Sequence, residues 1–147
     1  MIVGDGTLKL QLQQHARLSG VEQRVVFAGF HRNFIDLYSL MDISVLSLLR
    51  EGTPMALLEV MAMGVQVIAA DVGGVSQIIC PDHNGILVTS HDPKAMSDAI
   101  LRLLTNHDES ARSAINGRNT VAKQYSAERM ARDYETICSN ILAGSHR

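Results

Sequence analysis

Short apolar runs alternate along the first ninety or so residues with stretches whose apolar positions recur every three or four residues. The runs at 1–3, 24–28, 43–48, 65–70 and 86–88 have strand length and are rich in Val and Ile. Val45, Leu46 and Leu48 are apolar on both faces of their run, and 65–70 is apolar at nearly every position apart from Gln66. Strands of that kind belong in a sheet covered on both sides, which is usually parallel. Between them the pattern predicts helices. Thr7 caps one that runs to Leu18, with Leu8, Leu12 and His15 near one face. Asn33 caps a second over 34–41, Thr53 and Pro54 open a third over 54–63 that Gly64 stops, and Gly73-Gly74 turns the chain into a short one over 75–79. Right-handed crossovers between such units give an α/β fold, a Rossmann-like parallel sheet with flanking helices.

After the Asn84-Gly85 turn and the strand 86–88, the pattern is helical throughout. Asp92-Pro93 opens a helix to Leu104 with Met96, Ile100, Leu103 and Leu104 on one stripe, a second helix covers 109–124, and Ser126 caps a last one where Met130, Tyr134, Ile137 and Ile141 recur at helical spacing. The organisation expected is a Rossmann-like domain over 1–125, a C-terminal helix over 126–143 and a frayed tail over 144–147.

Composition narrows the function without naming it. With 147 residues, 46% hydrophobic and 19% charged, and a net charge of -2, the chain fits one soluble globular domain. No basic excess points to nucleic acid, and an aromatic content of 4% without Trp argues against a base-stacking platform. The longest apolar region, 55–70, is broken by Glu59, Gly64 and Gln66 and is too short for a membrane span. Cys80 and Cys138 are read as reduced, buried thiols in a cytoplasmic setting. His15, His31, His83, His91, His107 and His146 show no ligand spacing, so no metal site is expected. Gly4-Asp5-Gly6 lacks the third glycine of a dinucleotide fingerprint and is read as a turn.

The chemistry concentrates in Glu51-Gly52-Thr53-Pro54-Met55-Ala56-Leu57-Leu58-Glu59. Glu59 is the single polar side chain in an otherwise apolar helix, and a carboxylate there needs partners. Pro54 has no N–H, so Met55 and Ala56 supply the first free amide donors of the helix, at the positive end of its dipole and beyond the carboxyl end of a strand. That is a place for a diphosphate. Glu59, four residues past Met55, is on the same face one turn up and can accept from a ribose diol; its other reading is a carboxylate held by nearby backbone or Arg. Gly73-Gly74 either lets backbone approach a ligand or only makes the turn.

Glu51-x7-Glu59, followed by Val60-Met61-Ala62-Met63-Gly64 and by Asp71-Val72-Gly73-Gly74, resembles the family 4 (group 1) retaining glycosyltransferases. Ile2-Val3-Gly4-Asp5-Gly6, Val25-Val26-Phe27-Ala28-Gly29, Asn84-Gly85-Ile86-Leu87-Val88 and Asp92-Pro93 extend the resemblance over nearly the whole chain. It implies the C-terminal, donor-binding domain of the GT-B fold, lacking its first strand–helix unit. It also implies a nucleotide-sugar donor (UDP-, GDP- or ADP-linked), no cofactor or obligatory metal, and hexosyl transfer with retention. By the same resemblance Glu51, the candidate catalytic carboxylate, contacts donor-sugar hydroxyls and positions the donor. Gly52, Thr53, Pro54, Met55 and Ala56 face the diphosphate and sugar, Glu59 holds the ribose diol, and backbone near Phe30 and His31 meets the nucleobase. The two carboxylates are not a glycosidase acid/base pair, because the leaving group is already a phosphate.

Gln66 stands where the family usually has Pro, and Gln77 where Glu is common. The family's acceptor domain, and the first strand with its Arg and Lys for the diphosphate, have no counterpart here. Arg50 and Arg32 are read as solvated surface residues rather than replacements. The chain is therefore expected to be a fragment, inactive alone, with strand 1–3 directly beside 43–48 or with self-association through exposed sheet edges. The acceptor, a glycan or a lipid-linked molecule, is not specified by these residues. Two other readings compete: a nucleotide-sugar epimerase-like domain, and a non-catalytic Rossmann-like interaction module in which Glu59 is structural.

Overall fold

The computed structural model describes residues 1–49 and 52–144, so Arg50, Glu51 and the tail from 145 lie outside the described residues. Two compact units divide the chain, Met1–Leu37 and Tyr38–Arg147.

The first unit opens with β1 (Ile2–Val3), followed by α1 (Lys9–Leu18), a 3-10 turn (Glu22–Arg24), β2 (Phe27–Gly29) and the start of α2 (Phe34–Tyr38). β1 and β2 form a parallel pair with Ile2 opposite Phe27. α1 begins at Lys9, with Leu8 rather than Thr7 at its cap and no side-chain capping bond. The expected Leu8, Leu12 and His15 face is exposed, and Ala16 is the buried residue of the helix. α2 stops at Tyr38 instead of 41, and Asn33 Nδ2 donates to Asp36 Oδ2 across its first turn at 2.7 Å.

The second unit carries β3 (Ile43–Leu46), α3 (Met55–Ala62), β4 (Gln66–Ala70), α4 (Val75–Ile78), β5 (Ile86–Val88), α5 (Pro93–Thr105), α6 (His107–Gln124) and α7 (Ala127–Gly144). The sheet order is β3-β4-β5, all parallel, with Val45 opposite Ile68 and Ile68 opposite Ile86. Every residue of β4 is buried, the property its continuous apolar run predicts for a central strand covered on both faces. β1 pairs with β2 within the first unit, and β3 with β4 within the second.

Ile68, Ile86, Val88, Ala99 and Leu103 form one core cluster between sheet and α5, with Ile43, Met96 and Ile100 packed on it. Leu104, expected on the same stripe, is 52% exposed. α3 contributes Leu57, Leu58, Val60 and Met61 to the interior. Burying side chains of this size stabilises by about 1.5–3 kcal/mol each. The first two of the three long helices after the sheet have polar caps: Asp92 Oδ1 accepts from the Ala95 amide at 2.8 Å, and Asn106 Oδ1 from the Glu109 amide at 3.2 Å, which moves the start of α6 back to His107. Ser126 Oγ likewise accepts from Arg129 N at 3.2 Å before α7. On α7 the stripe of Met130, Tyr134, Ile137 and Ile141 is exposed, each residue by more than half.

Two polar side chains are built into this interior. Asn84 is 2% exposed; its Oδ1 accepts from the Cys80 amide at 2.7 Å, and its Nδ2 donates to the Ile78 carbonyl and to Thr120 Oγ1, both at 3.1 Å. Gln66, also 2% exposed, donates from Nε2 to Ser113 Oγ at 3.0 Å, while its Oε1 has no partner among the described residues. Cys80 and Cys138 are free thiols, but both are exposed rather than buried: Cys80 follows the buried pair Ile78–Ile79 into a turn, and Cys138 lies on α7, whose residues 127–143 are all exposed.

Candidate functional site

β3 ends at Leu46, and α3 begins at Met55. Pro54 is the cap residue, in an extended conformation with φ -74° and ψ 101°, so the helix begins one residue later than its sequence suggests. Its carbonyl accepts from the amides of Leu57 and Leu58 at 3.0 and 3.4 Å. These are the first bonds of α3, so the amides of Met55 and Ala56 precede its internal ladder and present the positive end of the dipole. Pro54 is buried, whereas Gly52, Thr53, Met55 and Ala56 are exposed.

A second loop holds the first in place. The Gly74 amide donates to the Gly52 carbonyl at 3.0 Å, and a Cβ on Gly74 would lie 2.3 Å from that oxygen. Gly73 adopts φ +52°, a backbone state that favours glycine. The double glycine that follows β4 thus makes the turn and also lets it close on the approach to α3.

Glu59 sits one turn into α3, on its exposed face. The expected desolvation problem therefore does not arise. The buried positions are Leu57, Leu58, Val60 and Met61, while 55, 56, 59 and 62 face outward. An all-apolar sequence concealed this, since no polar residue marks the outer face apart from Glu59 itself. Its Oε2 accepts from the hydroxyl of Tyr38 at 2.9 Å. Tyr38 is only 8% exposed, and its hydroxyl is pushed up to about 12 by burial, then by the bond to Glu59 and the charge of that carboxylate. Tyr38 went unrecognised in the sequence. It lies 21 residues from Glu59, on a different helix, so no local spacing links the two.

Phe30 and His31 belong to the first unit, just after β2. Phe30 is 68% exposed and meets Phe34 edge to face, ring centroids 6.4 Å apart. His31 Nε2 lies 2.9 Å from the Ala28 carbonyl, which can only accept, so this bond places the proton on Nε2. Gln77 is exposed, and its backbone carbonyl accepts from Tyr125 Oη at 2.9 Å. Glu51, the first carboxylate of the motif, and Arg50 lie outside the described residues.

A groove of about 420 Å³ also opens beyond the carboxyl ends of the strands, lined by Leu48, Leu49, His91, Met96 and Ile100 among others. It is apolar and includes none of residues 52–59. Shape alone would choose it, but the amides and carboxylate able to orient a charged ligand are at the start of α3. Among the described residues no group of three His, Cys, Asp or Glu could hold a metal ion, and no helix is long and apolar enough to cross a membrane.

A parallel β3-β4-β5 sheet with an open helix start beyond its carboxyl end defines a Rossmann-like unit of the kind found in GT-B glycosyltransferases. The chain belongs to the group 1 glycosyltransferases, whose family model matches residues 1–106. It is 30% identical over 142 residues to N-acetyl-alpha-D-glucosaminyl L-malate synthase of Bacillus anthracis, covering 97% of this chain and 37% of that protein. Its fold is similar to sucrose-phosphate synthase of Thermosynechococcus elongatus, with a TM-score of 0.85 at 26% identity over 95% of this chain and 35% of the other. Alr3699/HepE of Anabaena, solved in complex with UDP, gives a TM-score of 0.88 at 23% identity, covering 94% and 40% of the two chains. The chain thus spans between 35% and 40% of the length of these three proteins.

Proposed function

We propose that this chain is the donor-binding part of a retaining glycosyltransferase, which holds a nucleotide-sugar for hexosyl transfer to a glycan or lipid-linked acceptor. The observation that carries this reading is the start of α3: unladdered amides at Met55 and Ala56, with the exposed, Tyr38-bonded carboxylate of Glu59 one turn above them. The amides and the dipole favour a diphosphate. Glu59 accepts from the two ribose hydroxyls, and a carboxylate bound by neutral donors strengthens both bonds. Gly52, Thr53 and Pro54 line the approach. Glu51 receives the donor-sugar hydroxyls, and the backbone near Phe30 and His31 takes the nucleobase. The donor is a UDP-, GDP- or ADP-sugar, and no metal or cofactor is assigned. We assign the chain to a cytoplasmic setting, in keeping with two free thiols. β3 is an edge strand, and there we place the expected self-association.

Titration calorimetry of the chain with UDP, GDP and ADP tests the reading. One nucleotide should bind saturably, and Glu59→Ala should weaken it about tenfold or more, the range for losing hydrogen bonds to a charged group. A folded chain that binds none of the three would instead be an interaction module. Glycosyl transfer by the chain alone should be undetectable.

A further inference from the structure

We infer that Tyr38 is a positioning residue for the donor ribose: its hydroxyl holds one oxygen of Glu59 and so presents the other to the nucleotide. This rests on the ribose-diol reading of Glu59. The bond runs from Tyr38 Oη to Glu59 Oε2 at 2.9 Å, between a side chain that is almost fully buried and one that is exposed. The asymmetry matters. A glutamate on an exposed helix face ordinarily samples several rotamers, and binding two hydroxyls at once would require it to freeze into one of them. A tyrosine anchored in the interior has little freedom to lose, so its bond restrains the glutamate before any ligand arrives. Each carboxylate oxygen offers about two acceptor sites. One site on Oε2 is taken by Tyr38, which leaves Oε1 and the second site of Oε2 for a diol.

The pair spans two elements that the sequence separates. Tyr38 closes α2, Glu59 is in the middle of α3, and the two are 21 positions apart. Tyr38 is a neutral donor over the whole physiological range, as an unshifted phenol already would be, and burial and Glu59 raise its hydroxyl further, to about 12. A phenol that ionised there would repel the carboxylate instead of holding it.

The experiment is a double-mutant cycle on the full 147-residue chain. Tyr38→Phe and Glu59→Ala are made singly and together, and titrated with whichever of UDP, GDP and ADP binds tightest and with its 2′,3′-dideoxy counterpart. Tyr38→Phe removes the hydroxyl and keeps the ring; Tyr38→Met replaces it should the phenylalanine variant fail to fold. The expected result is an affinity loss of about 3- to 10-fold for the ribonucleotide on Tyr38→Phe. That loss should disappear both for the dideoxy nucleotide and in the Glu59→Ala background. An unchanged affinity in Tyr38→Phe while Glu59→Ala weakens binding overturns the positioning role and leaves the ribose-diol reading standing. Equal losses for both nucleotides make Tyr38 a purely structural residue and also overturn it. If Glu59→Ala itself has no effect, or if no nucleotide binds, the ribose-diol reading fails and takes this inference with it.

Discussion

The amide of Gly74 donates to the carbonyl of Gly52 at 3.0 Å, and the space where a Gly74 side chain would start is occupied by that same oxygen, 2.3 Å away. The loop after β4 therefore clamps the loop that leads into α3. A β-carbon at this distance cannot be accommodated by a side-chain rotation, because the obstacle is backbone.

Gly74→Ala should thus displace the Gly52–Thr53 turn. We expect a stability loss of about 1–3 kcal/mol from overpacking. Nucleotide affinity should fall by about tenfold or more, since small misplacements of binding groups are costly. Urea denaturation and calorimetry measure the two effects. A variant with wild-type affinity would show that the clamp does not shape the binding loop.

Asn84 stands at the Asn84-Gly85 turn, yet its side chain ties three segments together: the Cys80 amide, the Ile78 carbonyl and Thr120 on α6. Asn84→Ala should cost about 2–4 kcal/mol, because it strands buried backbone groups as well as removing bonds. Denaturation midpoints check this, and a loss below half a kilocalorie (roughly the range for surface substitutions) would mean that water replaces the amide.

Gln66 and Ser113 pair at 3.0 Å in the interior, with Gln66 Oε1 unpaired among the described residues. Ser113→Ala removes the partner of the buried Gln66 Nε2 and should destabilise by about 1–3 kcal/mol. Gln66→Leu combined with Ser113→Ala removes all these buried polar atoms together and should be near neutral or stabilising. Equilibrium unfolding of both variants decides it; a double variant weaker than Ser113→Ala alone would contradict the argument.

The hydroxyl of Tyr38 is raised from 10.0 to about 12, chiefly by burial and then by Glu59. A value raised in the folded state means that this stabilisation is complete below pH 10 and is lost as the pH climbs through about 12. Between those limits the unfolded chain has released the proton and the folded chain still holds it. The wild type should therefore lose stability more steeply than Tyr38→Phe from pH 10 to 12, with parallel curves below pH 10. Parallel curves throughout would remove the assigned cause.

Local pattern was enough for much of this. The buried run 66–70, the turn at Gly73-Gly74, the caps at Asp92 and Ser126 and the strand 86–88 all follow from periodicity and turn chemistry, which act over a few residues. Element ends were less legible. Thr53 and Pro54 look like a cap and a first helical residue, but Pro54 has extended ψ and the helix waits for Met55.

The sequence by itself determined the kind of protein: alternating apolar strands and helices, a bare helix start, and a carboxylate four residues into it. Tertiary structure alone decided what those groups do to one another. α3 is apolar nearly all round, so its pattern does not say which face is buried; packing against the sheet and α6 leaves Glu59 outward. The partner of that carboxylate, Tyr38, and the reason for Gly74, the Gly52 carbonyl, each lie more than twenty residues away. Contacts at that range leave no periodic signal, because they depend on where whole elements come to rest rather than on the spacing of neighbours along the chain.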